Sequence, residues 1–217
     1  GFFHPRSHQP VFESVNITLA PGSILAVCGD TGTGKSTFIK LLVTLLDPSR
    51  GKILADDLNL AQAATAWWRK QIVYMPQEPE FLNASIRENL LLHNPDIDDK
   101  ALNQILRAAN LKKFLDLTES GLSLNLKDNG GNLPLGTRRL LSLARAMTTD
   151  GKLVLLDDPT QHLDSGSAAS VYSIMNDFAE RGRTIIVSTN DSKIIKGASL
   201  IMDFNRKPAP KIMNQRV

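Results

Sequence analysis

The sequence predicts an α/β fold built on a parallel sheet, and two observations carry that prediction. An apolar run, a glycine loop and a helix-spaced stretch follow one another near the N-terminus, and two further apolar runs near the C-terminus flank another helical segment. SILAVCG (23–29) is short, apolar and stopped by glycine, as a buried strand is, and KSTFIKLLVTLL (35–46) has helical apolar spacing ending at Asp47-Pro48. Residues 86–150 carry helical patterns and no clear strand, notably DDKALNQILRAANLKKFL, so they read as a helical insert. KLVLLDD (152–158) and RTIIVST (183–189) repeat the strand signal. Between them SGSAASVYSIMNDFAERG (165–182) reads as a helix capped by Ser165 and closed by Gly182. Strands alternating with helices place functional sites at the C-terminal edge of a parallel sheet.

At 217 residues, with 42% hydrophobic and 22% charged content, the chain is sized and composed as one globular domain. Its formal charge of +3 is the balance of 25 basic and 22 acidic residues, the basic ones scattered along the chain, so nucleic acid is not an expected partner. The single cysteine, Cys28, excludes an internal disulfide, fits a reducing compartment and reads as a buried strand residue. No apolar run is long enough to cross a membrane and no secretion signal is visible. The abrupt start, GFFHPRSHQP, and the polar end, NRKPAPKIMNQRV, suggest a domain excised from a longer polypeptide.

GDTGTGKS, residues Gly29, Asp30, Thr31, Gly32, Thr33, Gly34, Lys35 and Ser36, matches the phosphate-loop pattern and lies between a strand and a helix. Glycines let backbone N–H groups close around phosphates, Lys35 supplies a cation to the β and γ groups, and Ser36 offers a hydroxyl to Mg²⁺, with Thr37 following on the helix. Asp157, at the end of LVLLDD, is placed to hold Mg²⁺ through water, or else to cap a helix.

With YMPQEPEFLNASIRENL (74–90), NLPLGTRRLLSLARAM (132–147), LVLLDDPTQHLD and IIVSTND in order, nearly the whole chain resembles the nucleotide-binding domain of an ATP-binding cassette transporter, of the exporter type fused to a membrane domain. The resemblance implies a P-loop NTPase fold with a RecA-like core, a small antiparallel β subdomain and a helical subdomain at about 86–150. It also implies Mg-ATP bound between two such domains, as homodimer or heterodimer, at the cytoplasmic face of a membrane. Gln77 matches the glutamine that reaches Mg²⁺ and links the site to the membrane domain, though it also reads as a turn residue after Pro76. His4 falls near a tyrosine that stacks on adenine, though a terminal histidine is equally expected to be exposed; His8, His93 and His162 read as loop or surface residues.

Three motifs of the nucleotide site depart from the family pattern. The signature turn, usually Leu-Ser-Gly-Gly-Gln, reads Leu133-Pro134-Leu135-Gly136-Thr137, so Pro134 brings neither hydroxyl nor N–H, and Leu135 adds bulk. Gly136 and a helix beginning near Arg138 would keep an N-terminal dipole for the phosphate. The catalytic glutamate is Asp158, one methylene short, and the switch histidine is Asn190, which cannot carry charge. Each such loss is worth about 10² to 10⁴ in rate, without additivity, so hydrolysis is expected to be slow while binding persists. Gln161-His162-Leu163-Asp164 matches the loop that runs across the dimer interface, with Asp164 also a helix-cap candidate. KDNGGN resembles a loop that senses the membrane domain, with Asp128 for the usual glutamate, and also reads as a plain turn. Two alternatives stay open: a nucleotide-gated regulatory module with negligible hydrolysis, and a soluble cassette ATPase of DNA repair or translation.

Overall fold

The computed structural model describes residues 1–5, 7 and 9–215. Its centre is a six-stranded sheet in the order β10-β9-β3-β8-β7-β6, formed by β3 (Ile24–Cys28), β6 (Ile72–Met75), β7 (Leu153–Asp157), β8 (Thr184–Ser188), β9 (Leu200–Asp203) and β10 (Lys211–Asn214). All pairings are parallel except β9 with β10. Two short antiparallel pairs lie outside it, β1 (Phe2–Phe3) with β2 (Pro10–Phe12), and β4 (Leu54–Ala55) with β5 (Leu58–Asn59).

Strands β3, β7 and β8 are buried on both faces, which is why they read as continuous apolar runs. In β3, Leu25 and Val27 join a core with Phe38 and Ile39 of α1 (Lys35–Leu42), while Ala26 joins the opposite core with Leu143 of α6 (Leu135–Met147) and Val171 and Ile174 of α7 (Ser165–Glu180). Short helices α2 (Thr65–Lys70) and α8 (Ser192–Gly197) cover the first and second of these faces through Trp68 and Ile194. A third core joins α3 (Ile86–Leu91), α4 (Asp99–Ala108), α5 (Lys112–Asp116) and the outer side of α6 through Ile86, Leu102, Leu115 and Leu140.

Several expected boundaries move, each for a local reason. The helix expected over 35–46 ends at Leu42. Thr44 takes a left-handed φ of 56°, the Leu45 N–H turns back to the Lys40 carbonyl, and Trp68 Nε1 donates to the Leu42 carbonyl at 2.8 Å. The helical pattern over 98–115 is two helices, broken where Asn110 turns left-handed at φ 58°. Helix α7 is capped not by Ser165 but by Asp164, whose carboxylate accepts the Ser167 N–H at 2.9 Å; Gly182, at φ 71°, closes it as expected. Helix α6 starts at Leu135 with Pro134 as its N-cap, a turn earlier than the start expected near Arg138. KDNGGN forms a tight turn with Asp128 and Asn129 both at positive φ, and a Cβ on Gly130 would meet Phe81 at 2.8 Å.

Candidate nucleotide site

The loop between β3 and α1 is held open by backbone that side chains would obstruct. Gly34 has φ 111°, and a Cβ there would fall 2.7 Å from Val11 Cγ1, so β2 lies hard against the loop. Lys35, buried, donates from Nζ to the carbonyls of Gly29 at 2.6 Å and Asp30 at 3.0 Å. The Thr33 hydroxyl donates to the Asp30 carbonyl at 2.8 Å, and the Asp30 N–H donates to Asn205 Oδ1 at 2.9 Å. Thus the loop is tied to itself and to the segment after β9.

At the neighbouring strand ends, parallel register sets Asp157 opposite Ser188, whose hydroxyl donates to Asp157 Oδ1 at 2.6 Å. The Ser36 hydroxyl stands 3.2 Å from both Asp157 Oδ1 and Gln77 Oε1. Three oxygens from α1, the end of β7 and the segment after β6 therefore converge beside the phosphate loop. Such an oxygen set suits a hard cation that also takes phosphate oxygens and water. Burial and the nearby Asp157 charge push the Tyr74 hydroxyl up to about 12, so Tyr74 stays neutral behind this cluster.

Asp158 turns out of the strand at φ 47°, with its N–H donating to the Ser188 carbonyl at 2.9 Å. Burial first, and then the Asp157 charge, raise its carboxyl above the ordinary range, while Lys35 and Arg139 oppose the rise. Gln77 Nε2 is 3.5 Å from Asp158 Oδ2 and 3.4 Å from Gln161 Oε1. Arg139, which forms an adjacent basic pair with Arg138 in NLPLGTRRLLSLARAM and to which the sequence assigns no role, donates to the Asp158 carbonyl at 2.9 Å and to Gln161 Oε1 at 3.1 Å. Thr160 was missed too: its hydroxyl donates to Asp191 Oδ2 at 3.0 Å, where Tyr172 also donates at 2.6 Å.

Asn190 is placed differently from a free contact to phosphate. Its Oδ1 accepts the Gly29 N–H at 3.2 Å and its Nδ2 donates to the Gly29 carbonyl at 3.0 Å, so both polar ends stitch the loop after β8 to the phosphate loop. Cys28 is half-buried rather than sealed in the strand, with Sγ 3.7 Å from the Met202 carbonyl.

One polar cleft of about 620 Å³ gathers His4, Val11, Thr31, Gly32, Gly34, Lys35, Ser36, Thr37, Gln77, Asp158, Gln161 and Asn190, while Gly29, Asp30, Thr33 and Asp157 are not among its lining residues. The volume is ordinary for a small-molecule site. His4 stands exposed, its ring edge-on to Phe2 at 5.4 Å. His93 and His162 are exposed and neither lines this cleft, and His8 lies outside the described residues. The Pro134 turn is on a second cleft, with Thr137, Lys113, Phe114 and His162. There the amides of Leu135, Gly136 and Thr137 precede the first internal bond of α6, from the Arg138 N–H to the Pro134 carbonyl, so the positive end of the helix survives the loss of the usual serine.

A family model described as ABC transporter matches residues 12–161. The glutathione/L-cysteine transport system ATP-binding/permease protein CydC of Escherichia coli is 34% identical over 87% of this chain and 32% of its own length. The multidrug resistance protein pgp-1 of Caenorhabditis elegans is 31% identical over 99% of the chain and 16% of its own. The chain thus spans a third or less of these relatives. A solved bacterial Atm1-family ABC exporter with ATP bound shares the fold at a TM-score of 0.87, with 24% identity over 93% of this chain and 35% of that one.

Proposed function

The chain belongs to the ABC transporter family as one of its ATP-binding domains, and on that premise we propose that it binds Mg-ATP and couples binding, with slow hydrolysis, to substrate export through a membrane domain. The observation that carries the reading is the convergence of Ser36, Gln77 and Asp157 oxygens beside the loop that holds Lys35. Ser36, Gln77 and Asp157 would hold Mg²⁺ there, and the ion would offset the charge of the phosphates. Lys35 is already fixed on the Gly29 and Asp30 carbonyls, so little side-chain ordering remains to be done when phosphate arrives. Asp158 takes the base's role toward the attacking water; its raised carboxyl improves basicity, while its short reach limits the benefit. Gln77 spans the cation site and Asp158, and so reports on both.

The partners in this proposal are a second nucleotide-binding domain and a transmembrane domain, the latter in keeping with the ATP-binding/permease name of CydC. Among the described residues no helix is long and apolar enough to cross a membrane. The reported relatives are transport proteins by name, which weighs against the alternative of DNA repair or translation. One observation favours the other alternative, a nucleotide-gated module with negligible turnover: the amide of Asn190 is occupied by Gly29.

Steady-state hydrolysis separates the two. Asp158→Glu alone is expected to give a small gain, and Asp158→Glu with Asn190→His a larger one. Adding Pro134→Ser and Leu135→Gly should give the largest, with Lys35→Ala as background. An unmodified chain as fast as the full revertant contradicts the reading of a weakened catalytic site.

A further inference from the structure

Arginine is seldom fully buried without a pairing partner. Arg139 is only 3% exposed, forms no direct ion pair among the described residues, and leaves its buried Nε without a hydrogen-bond partner. Its two hydrogen bonds go to a carbonyl, that of Asp158, and to an amide oxygen, that of Gln161. Burial works against its charge, and the more distant carboxylates of Asp158, Asp157 and Glu78 offset that cost. A guanidinium kept in such a place fixes directions, because its planar fork holds two acceptors at set angles.

What it fixes lies on the hydrolytic side of the cleft. Asp158 has a left-handed backbone that only surrounding contacts maintain in a residue with a Cβ. Its N–H is held by the Ser188 carbonyl and its own carbonyl by Arg139 and the Gln161 N–H, so the peptide plane on each side of its Cα is set, and with it the direction in which the side chain leaves the backbone. Gln161 Oε1, held by Arg139 at 3.1 Å, lies 3.4 Å from Gln77 Nε2, and Gln77 Oε1 accepts from Ser36. A chain of polar contacts therefore runs from α6 to the phosphate loop.

We propose that Arg139 is a positioning residue for hydrolysis: it clamps the Asp158 turn and Gln161 to helix α6 and, through Gln161, orients the side-chain amide of Gln77. This rests on the reading of Asp158 and Gln77 as the groups around the transferred phosphate. Nucleotide affinity, set by the phosphate loop, is not its task.

The test uses Arg139→Met, Arg139→Lys and Gln161→Leu in the 217-residue chain. In nitrogen-15 spectra without nucleotide, Arg139→Met should shift the Asp158 backbone amide and the side-chain amides of Gln77 and Gln161. Gln161→Leu should move the Gln77 amide and leave that of Asp158 in place. In hydrolysis, Arg139→Met should lower kcat about 10-fold or more at nearly constant KM for ATP, and Arg139→Lys should recover part of the loss. Unmoved resonances, a KM rise that accounts for the whole effect, or a lysine variant no better than methionine would overturn the proposal. If Arg139→Met does not fold, Gln161→Leu, at an exposed position, decides through the Gln77 resonance and kcat; no change in either refutes the clamp. A chain with no measurable turnover would count against the hydrolytic part of the proposed function, and the spectra would still decide on the clamp.

Discussion

Gly34 shows how closely the phosphate loop depends on single residues. Its φ of 111° and the approach of Val11 and Phe12 leave no place for a side chain, and its carbonyl accepts the Phe38 N–H at 2.9 Å as the first bond of the helix that carries Lys35 and Ser36. Gly34→Ala should cost about 1–2 kcal/mol from backbone strain alone and more from the contact with Val11, and it should weaken nucleotide binding at the same time. Urea unfolding and an ATP titration of the variant check both. An unchanged midpoint would mean that β2 yields easily. This loop was legible in the sequence because its chemistry is local: donors, cation and hydroxyl are consecutive residues. Arg139, Thr160 and Gln161 were not legible as a network, since their partners lie on other elements and a basic pair in a helix reads equally well as solvent-facing. Asn190 shows the same limit. Its place in the chain was readable, but its pairing with both backbone groups of Gly29 arises from the adjacency of β3 and β8.

At the scale of elements, ends were harder to place than interiors. Apolar spacing continued past Leu42 because Val43 and Leu46 do pack on the first core, yet they do so from a turn whose open carbonyls are taken by Trp68 and Arg69 of α2. Two-residue strands such as β4 and β5 offer no periodicity to read. Caps also couple elements electrostatically. Asp191 caps α8 through the Lys193 N–H while accepting from Tyr172 of α7 and from Thr160. Burial pushes its carboxyl upward, but the Tyr172 hydroxyl, the Lys193 amide and the Thr160 hydroxyl together hold it below the ordinary value. A depressed folded pKa gives stability that is present above the unfolded carboxylate pKa and is lost as pH falls through the folded one. Urea midpoints should therefore fall on acidification, and Asp191→Asn should lower the neutral midpoint and flatten the acid decline. A variant with an equally steep decline would show that other carboxylates dominate.

For the whole molecule, the parallel sheet decides where chemistry can occur. The strand order brings the carboxyl ends of β3, β8 and β7 side by side, so that Gly29, Asn190 and Asp157, far apart in sequence, meet at one edge. The fold class was legible because β3, β7 and β8 are buried on both faces and their helices have clear spacing. The antiparallel margin, β9 with β10 and the two small pairs, had no comparable signal. The sequence departures at Pro134, Leu135, Asp158 and Asn190 leave the loop, the lysine and the three converging oxygens in place. We therefore propose that this edge binds Mg-ATP whatever its turnover, which calorimetric titration of Mg-ATP into the chain and into Lys35→Ala decides. The chain should bind saturably with a Kd in the range of about 1 μM to 1 mM and the variant should be weaker by roughly 10-fold or more, since Lys35 is the loop's fixed cation. Equal affinities for the two proteins, or no binding by the unmodified chain, would contradict it.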